Sequence, residues 1–126
     1  LSQVLLVDDN PLQLSVREAV LRTAGFQVSV ATTAESALAT LRVLSDRIGV
    51  LITDHLMPGC SGSELVRQIR TFNQWLPVIV LSGLAEAETE YADLGVVFRH
   101  KPIPPPELIE LVRASLDQAQ QQRGAA

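Results

Sequence analysis

The stretch VLLVDDNPLQLSVREAVLRTAG, residues 4–25, decides the fold. Four apolar residues, Val4–Val7, stop abruptly at Asp8, Asp9 and Asn10. Pro11 follows, where the first turn of a helix tolerates a residue without an N–H. Leu12, Val16, Ala19 and Val20 recur at helical spacing, and Gly25 stands where a helix would end. A short, wholly apolar run feeding a helix is the mark of a strand buried on both faces of a parallel sheet.

The same unit repeats outward along the chain. Further strands are predicted at Gln27–Val30, Gly49–Thr53, Pro77–Leu81 and Val96–Arg99. Between them, Ala34, Ala37, Leu38, Leu41 and Leu44 mark a second helix, with Thr32 and Glu35 spaced as a capping box. Leu65, Val66, Ile69 and Phe72 mark a third, after a Pro/Gly/Ser loop at 58–63. Glu86–Asp93 is short, acidic and weakly periodic. Leu108, Leu111, Val112 and Ala119 mark a last helix, started by the Pro104–Pro106 run. Five strands alternating with five helices predict a doubly wound α/β domain with helices on both faces of the sheet. It occupies residues 1–121, and the polar stretch from Gln118 predicts fraying into a flexible C-terminal tail at 122–126.

Composition agrees and excludes other classes. The 126 residues are 47% hydrophobic and 19% charged, enough for one core and too apolar for a disordered chain. A single cysteine, Cys60, excludes a disulfide framework and a multi-cysteine metal site. The formal charge of −4 argues against direct nucleic-acid binding, which needs a basic face. No apolar run is long enough to span a membrane, and LSQVLLVDD has no signal-peptide pattern, so a cytoplasmic location is expected. The start at Leu1 instead of Met reads as a piece of something longer.

In an open parallel sheet, ligands bind beyond the carboxyl ends of the strands. The first strand ends in Asp8 and Asp9, the third in Asp54, the fourth in Ser82, and the fifth leads to Lys101. Three carboxylates, a hydroxyl and an ammonium are thus expected on one sheet edge. Hard oxygen donors without His or Cys suit Mg²⁺ or Mn²⁺. Lys101 supplies a compact cation for an anionic group, Ser82 a donor for a phosphoryl oxygen, and Pro102 holds Lys101 extended. Together these describe phosphoryl transfer onto an aspartate.

With LLVDDN at 5–10, LITDHLMPGCSG at 51–62, VIVLSG at 78–83 and VFRHKP at 97–102, the sequence resembles the receiver domain of two-component response regulators, the CheY-like family. The resemblance covers nearly the whole chain, with all four motifs in order. It implies a flavodoxin-like sheet of order 2-1-3-4-5 and Asp54 as phosphoacceptor. It implies a metal site formed by Asp8, Asp9, Asp54 and the backbone carbonyl of Leu56, with Asp9 the direct ligand of the acid pair. Ser82 and Lys101 would bind the phosphoryl group, Phe98 would be the switch aromatic, and Lys101–Pro102 the cis peptide bond. The resemblance also implies a sensor histidine kinase or phosphotransfer protein as partner. The domain would be a phosphorylation-controlled switch that catalyses its own modification, and not an enzyme with turnover.

Departures from the family pattern are informative. The segment from Ser82 to Lys101 is about one helical turn short, so the fourth helix is expected to be short or irregular. The usual dimerisation face is then compromised, and a monomer is expected. Phe98 stands where a Tyr is common. Leu56 and Leu84 occupy positions that tune dephosphorylation in the family; their apolar side chains cannot hold an attacking water, which implies slow hydrolysis. A phosphorylation-independent module is disfavoured by the intact set Asp8, Asp9, Asp54, Ser82 and Lys101. A hydrolase using Asp54 is disfavoured by Leu56, where such enzymes carry a second aspartate. His55 is expected to point away from Asp54 and to be structural, and Trp75 to pack. Stand-alone regulator, receiver of a DNA-binding protein and receiver fused to a hybrid kinase remain open, with the short fourth segment and the lack of an output domain leaning to the last.

Overall fold

The computed structural model describes residues 2–125. Five parallel strands, β1 (Gln3–Val7), β2 (Val28–Ala31), β3 (Ile48–Asp54), β4 (Val78–Ser82) and β5 (Val97–His100), form one sheet of order β2-β1-β3-β4-β5. The α-helices are α1 (Pro11–Thr23), α2 (Ala34–Leu44), α3 (Gly62–Arg70) and α4 (Pro105–Ala125). A 3-10 segment, Ala85–Tyr91, takes the fourth helical place, between β4 and β5. A short 3-10 turn, Ser45–Arg47, leads from α2 into β3.

Alternation along the strands divides the core in two. Leu5, Val7, Leu51, Val78 and Val80 face α2, α3 and the 3-10 segment. Val4, Leu6, Val50, Ile52, Ile79 and Leu81 face α1 and α4. β3 lies in the middle, with all seven residues buried, which explains its unbroken apolar run. Its pairing with β1 shifts register once, between Gln3 and Val4, so Gly49 is passed over and the alternation restarts at Val50.

Four local expectations change. The stripe Leu12–Val16–Val20 does not face the core: Leu12 is 74% exposed and Val16 56%, whereas Leu14 and Leu21 are buried. Helix α1 carries two apolar stripes, and the outer one meets Ile103, Pro105 and Leu108 along a groove beside α4. The cap of α2 is Thr33, whose hydroxyl oxygen accepts the Ser36 N–H at 3.0 Å, one residue later than the box read from Thr32. Helix α4 continues to Ala125, past the fraying expected from Gln118 and into the 122–126 stretch read as tail; Ala126 lies outside the described residues. The run Gln118–Arg123 consists of Gln, Ala and Arg, which all favour helix over coil. Trp75, expected to pack, is 70% exposed.

The fourth helical segment is short and 3-10. Its bonds run to the third residue back, as in Ala87 N–H to Leu84 C=O at 3.2 Å and Leu94 N–H to Tyr91 C=O at 3.0 Å. It is docked by Ala87, Tyr91 and Leu94, all buried. The three lie at i, i+4 and i+7, so one face of the segment docks on the core. No helix among the described residues is long and apolar enough to cross a membrane.

Candidate phosphoacceptor site

Strand order reverses between β1 and β3, and their carboxyl ends carry the acids. Asp8 follows β1, and its N–H donates to Ala31 C=O at 3.1 Å, which extends the ladder by one rung. Asp54 is the last residue of β3. The turn into α1 is closed by Asn10, whose side-chain oxygen accepts from Leu12 N–H at 3.0 Å and Gln13 N–H at 3.1 Å. That cap fixes where Asp8 and Asp9 stand relative to the helix.

Carboxylate oxygens of Asp8, Asp9 and Asp54 all lie within 4.8 Å of one another. Asp8 is fully buried, Asp54 nearly so, and Asp9 exposed. Three converging carboxylates with no His or Cys form the hard donor set that a small divalent cation takes. The donor set therefore fits Mg²⁺ or Mn²⁺. Leu56 lies two residues past Asp54 with its side chain 61% exposed.

Two cations of the chain face these acids. Lys101 Nζ pairs with Asp54 Oδ1 and donates to Gln13 Oε1 at 3.0 Å. Arg17 Nη1 donates to Asp8 Oδ2 at 2.7 Å. Burial nevertheless dominates at Asp54: desolvation raises its carboxyl above the ordinary value near 3.8, the Lys101 hydrogen bond and charge only partly oppose this, and nearby Asp8 adds to the rise. The Lys101–Pro102 bond is cis, and Lys101 N–H donates to Ser82 C=O at 2.8 Å, tying the β5 loop to the end of β4.

Ser82 is buried beside this edge, but its hydroxyl is engaged in its own turn. It accepts from Leu84 N–H at 2.9 Å and donates to Leu84 C=O at 3.3 Å. Phe98 is 8% exposed and packs on Tyr91 and His100, with ring centroids 5.7 and 5.6 Å away. The ring thus lies on the core side of β5.

His55 does face away from Asp54, as strand alternation requires. It is 4% exposed, and its Nδ1 lies 2.6 Å from the Tyr91 hydroxyl while Nε2 lies 3.4 Å from Glu90 Oε2. Burial and the neighbouring Glu90 and Asp54 push the Tyr91 phenol up, so its hydroxyl stays protonated in this contact. This contact anchors the 3-10 segment to the loop after the acceptor. Gly62 makes the anchor fit: a Cβ there would sit 2.5 Å from the Asp54 carbonyl oxygen and 2.6 Å from the Tyr91 hydroxyl.

Sequence reading missed Gln13, Arg17, Tyr91 and Gly62. Gln13 and Arg17 are four apart on α1 and so share a face, and Arg17 is nine residues past Asp8. That spacing puts Gln13 and Arg17 on one face of the helix but does not say that this face meets the acids.

Comparison with known proteins covers most of the chain. The family model described as the response regulator receiver domain matches residues 4–113. The C4-dicarboxylate transport transcriptional regulatory protein DctD of Pseudomonas aeruginosa is 32% identical over 92% of this chain and 25% of its own length. The DNA-binding response regulator MtrA of Mycolicibacterium smegmatis is 31% identical over 90% of this chain and 50% of its own. A response regulator receiver protein of Pseudomonas putida, solved as a crystal structure, superposes with a TM-score of 0.83 at 35% identity, covering 90% of this chain and 96% of that one. The chain spans a half or less of the length of the first curated relatives it matches.

Proposed function

The chain belongs to the response regulator receiver domain family, whose general function is a phosphorylation-dependent signalling switch in two-component systems, and on that premise we propose that Asp54 is its phosphoryl acceptor. The observation that carries this reading is the meeting of three carboxylates within 4.8 Å, with Lys101 on the one that ends the central strand. Asp8, Asp9, Asp54 and the main-chain carbonyl of Leu56 would hold a divalent cation, which supplies neutralising charge for the incoming phosphoryl group. The donor is a phosphohistidine of a sensor histidine kinase or phosphotransfer protein. An Asp54 carboxylate oxygen forms the new bond to phosphorus; the bond from phosphorus to the histidine nitrogen breaks, and its electron pair stays on the imidazole.

Lys101 exchanges Asp54 for a phosphoryl oxygen, and Gln13 steadies its ammonium. Ser82 turns its hydroxyl from Leu84 C=O to the phosphoryl group. The added charge of about −2 is read at the ends of β4 and β5, where Phe98 packs, and shifts a two-state equilibrium. Turnover on a separate substrate is not part of the function. Leu56 and Leu84, both exposed at this edge, offer no hydrogen bond to an attacking water, so the phosphoryl group is long-lived. The domain acts in the cytoplasm, as part of a regulator or kinase that carries the output. The reading is tested by labelling with acetyl phosphate, which should require both Mg²⁺ and the Asp54 carboxylate.

Two further outcomes follow. Mg²⁺ should raise the melting temperature of the wild-type protein, and Asp9→Ala should abolish that rise, leaving the metal-free melting temperature unchanged within about 2 °C because Asp9 is exposed. Thermal melts with and without Mg²⁺ check this, and a large loss without metal would make Asp9 structural instead. The protein should also stay monomeric in beryllofluoride and Mg²⁺. Glu86, Glu88, Glu90 and Asp93 crowd the 3-10 segment and the turn after it, so two copies meeting there would oppose like charges. Sedimentation is the measurement; a tight dimer broken by changes at Glu86–Asp93 or Arg99 is the opposite result.

A further inference from the structure

The two cations of the site are not equivalent. Lys101 sits on the acceptor, but Arg17 sits on the acid pair, where the divalent cation would bind. The Asp8 carboxylate is fully engaged: Oδ1 accepts the Asn10 N–H at 2.9 Å, and Oδ2 accepts Arg17 Nη1–H at 2.7 Å. Its side chain is 0% exposed and that of Arg17 13%, so little water screens the pair. Asp9, by contrast, is exposed and has no ion-pair or hydrogen-bond partner among the described residues.

We propose that Arg17 is a built-in competitor for the divalent cation: it holds Asp8 and must be displaced from it before Asp8 can serve the metal. The inference rests on the reading of Asp8, Asp9 and Asp54 as a divalent-cation centre, and deepens it by naming the residue that sets the affinity. A divalent ion that takes Asp8, directly or through a bound water, comes within a few ångströms of the guanidinium. Like charges at that range in a poorly screened site repel strongly. One carboxylate oxygen already committed to a short, charge-assisted hydrogen bond is also a poor metal ligand until that bond breaks.

Arg17 has somewhere to go. Its Nη2 lies 3.5 Å from Gln13 Oε1, the oxygen that also accepts from Lys101. Gln13 and Arg17 are one turn apart on α1, so the side chain can leave Asp8 for the groove between α1 and α4, which both residues line. Asp9 and Asp54 then hold the ion first and Asp8 joins as Arg17 leaves. A chain arranged this way needs more Mg²⁺ than its acids alone would require.

The opposite role predicts the opposite sign. If Arg17 only positioned Asp8, removing it would loosen a ligand and weaken metal binding. Mg²⁺ should be titrated calorimetrically into the full chain as wild type, Arg17→Gln and Arg17→Lys, at fixed ionic strength. Arg17→Gln is expected to bind at least about tenfold more tightly, with a lower metal-free melting temperature and a larger rise on adding Mg²⁺. Arg17→Lys keeps the charge and should stay within about threefold of wild type. Wild-type binding with Arg17→Gln unchanged or weaker overturns the inference and leaves the metal centre standing. Binding to neither protein overturns both. If Arg17→Gln folds poorly without metal, NMR of the wild type decides. The Arg17 Nε–H resonance should move as Mg²⁺ saturates the site, and a stationary resonance at saturation overturns the proposal.

Discussion

Asp54→Asn is expected to abolish labelling by acetyl phosphate in Mg²⁺, a loss of at least about a hundredfold against wild type. The amide is not nucleophilic, and it removes one of the three charges that would hold the ion. Phosphoryl incorporation by intact-protein mass measurement is the check, and labelling at the wild-type level would place the acceptor elsewhere. The same substitution should not destabilise the metal-free protein at neutral pH. The folded-state pKa of Asp54 is raised by burial, so the folded chain binds the proton more tightly than the unfolded chain does. The ionisation penalty is absent below the ordinary value near 3.8. It grows as pH rises through the window between that value and the raised one, and is fully present above. Asn carries no such penalty, so the melting temperature of the variant should equal or exceed wild type at pH 7, and the gap should shrink as the solution is acidified. A clear fall at pH 7 would mean that the Lys101 pair outweighs burial.

Gly62→Ala is expected to be the most damaging single-methyl change in the chain. The first position of α3 tolerates Ala well on propensity alone, where Ala is worth about 1 kcal/mol over Gly in a helix interior. Here the added Cβ would stand 2.5 Å from the Asp54 carbonyl oxygen and 2.6 Å from the Tyr91 hydroxyl. One of these neighbours is main chain at the end of the central strand, which cannot swing aside. Overpacking of this kind costs about 1–3 kcal/mol, and the rigidity of the neighbour puts the change at the upper end. A fall in melting temperature of roughly 10 °C is expected. Adding Tyr91→Phe removes one clash but leaves the carbonyl and also breaks the His55 hydrogen bond, so the double variant should not return to wild-type stability. An unchanged melting temperature in Gly62→Ala would mean that the α3 start and the acceptor loop move freely, contrary to the close packing described.

The strands were legible because β1, β3 and β4 are apolar on both faces, so no period had to be judged. Each predicted strand lies within one residue of the observed one, and the chemistry at the strand ends followed from that. Asp8, Asp9 and Asp54 meet, and Lys101 reaches Asp54. Helix faces were harder. Leu12, Val16 and Val20 have the right spacing for a core stripe, yet Leu14 and Leu21 are the buried residues. Spacing identifies a face but not which of two apolar faces meets the sheet. The Asp8–Arg17 and His55–Tyr91 contacts were illegible for another reason. Each joins side chains whose meeting depends on how a helix or a 3-10 segment packs against the strand ends, and local pattern carries no record of that. The Ser82 hydroxyl is the reverse case: its turn with Leu84 spans two residues and is local chemistry.

The most direct test of the central claim is to locate the phosphoryl group itself. The wild-type chain is incubated with acetyl phosphate, with and without Mg²⁺, then reduced with borohydride, which converts an aspartyl phosphate to homoserine, and the product is mapped by peptide mass spectrometry. Homoserine is expected at residue 54 alone, and only when Mg²⁺ is present. Homoserine at another aspartate, or equal conversion without the metal, would contradict that claim.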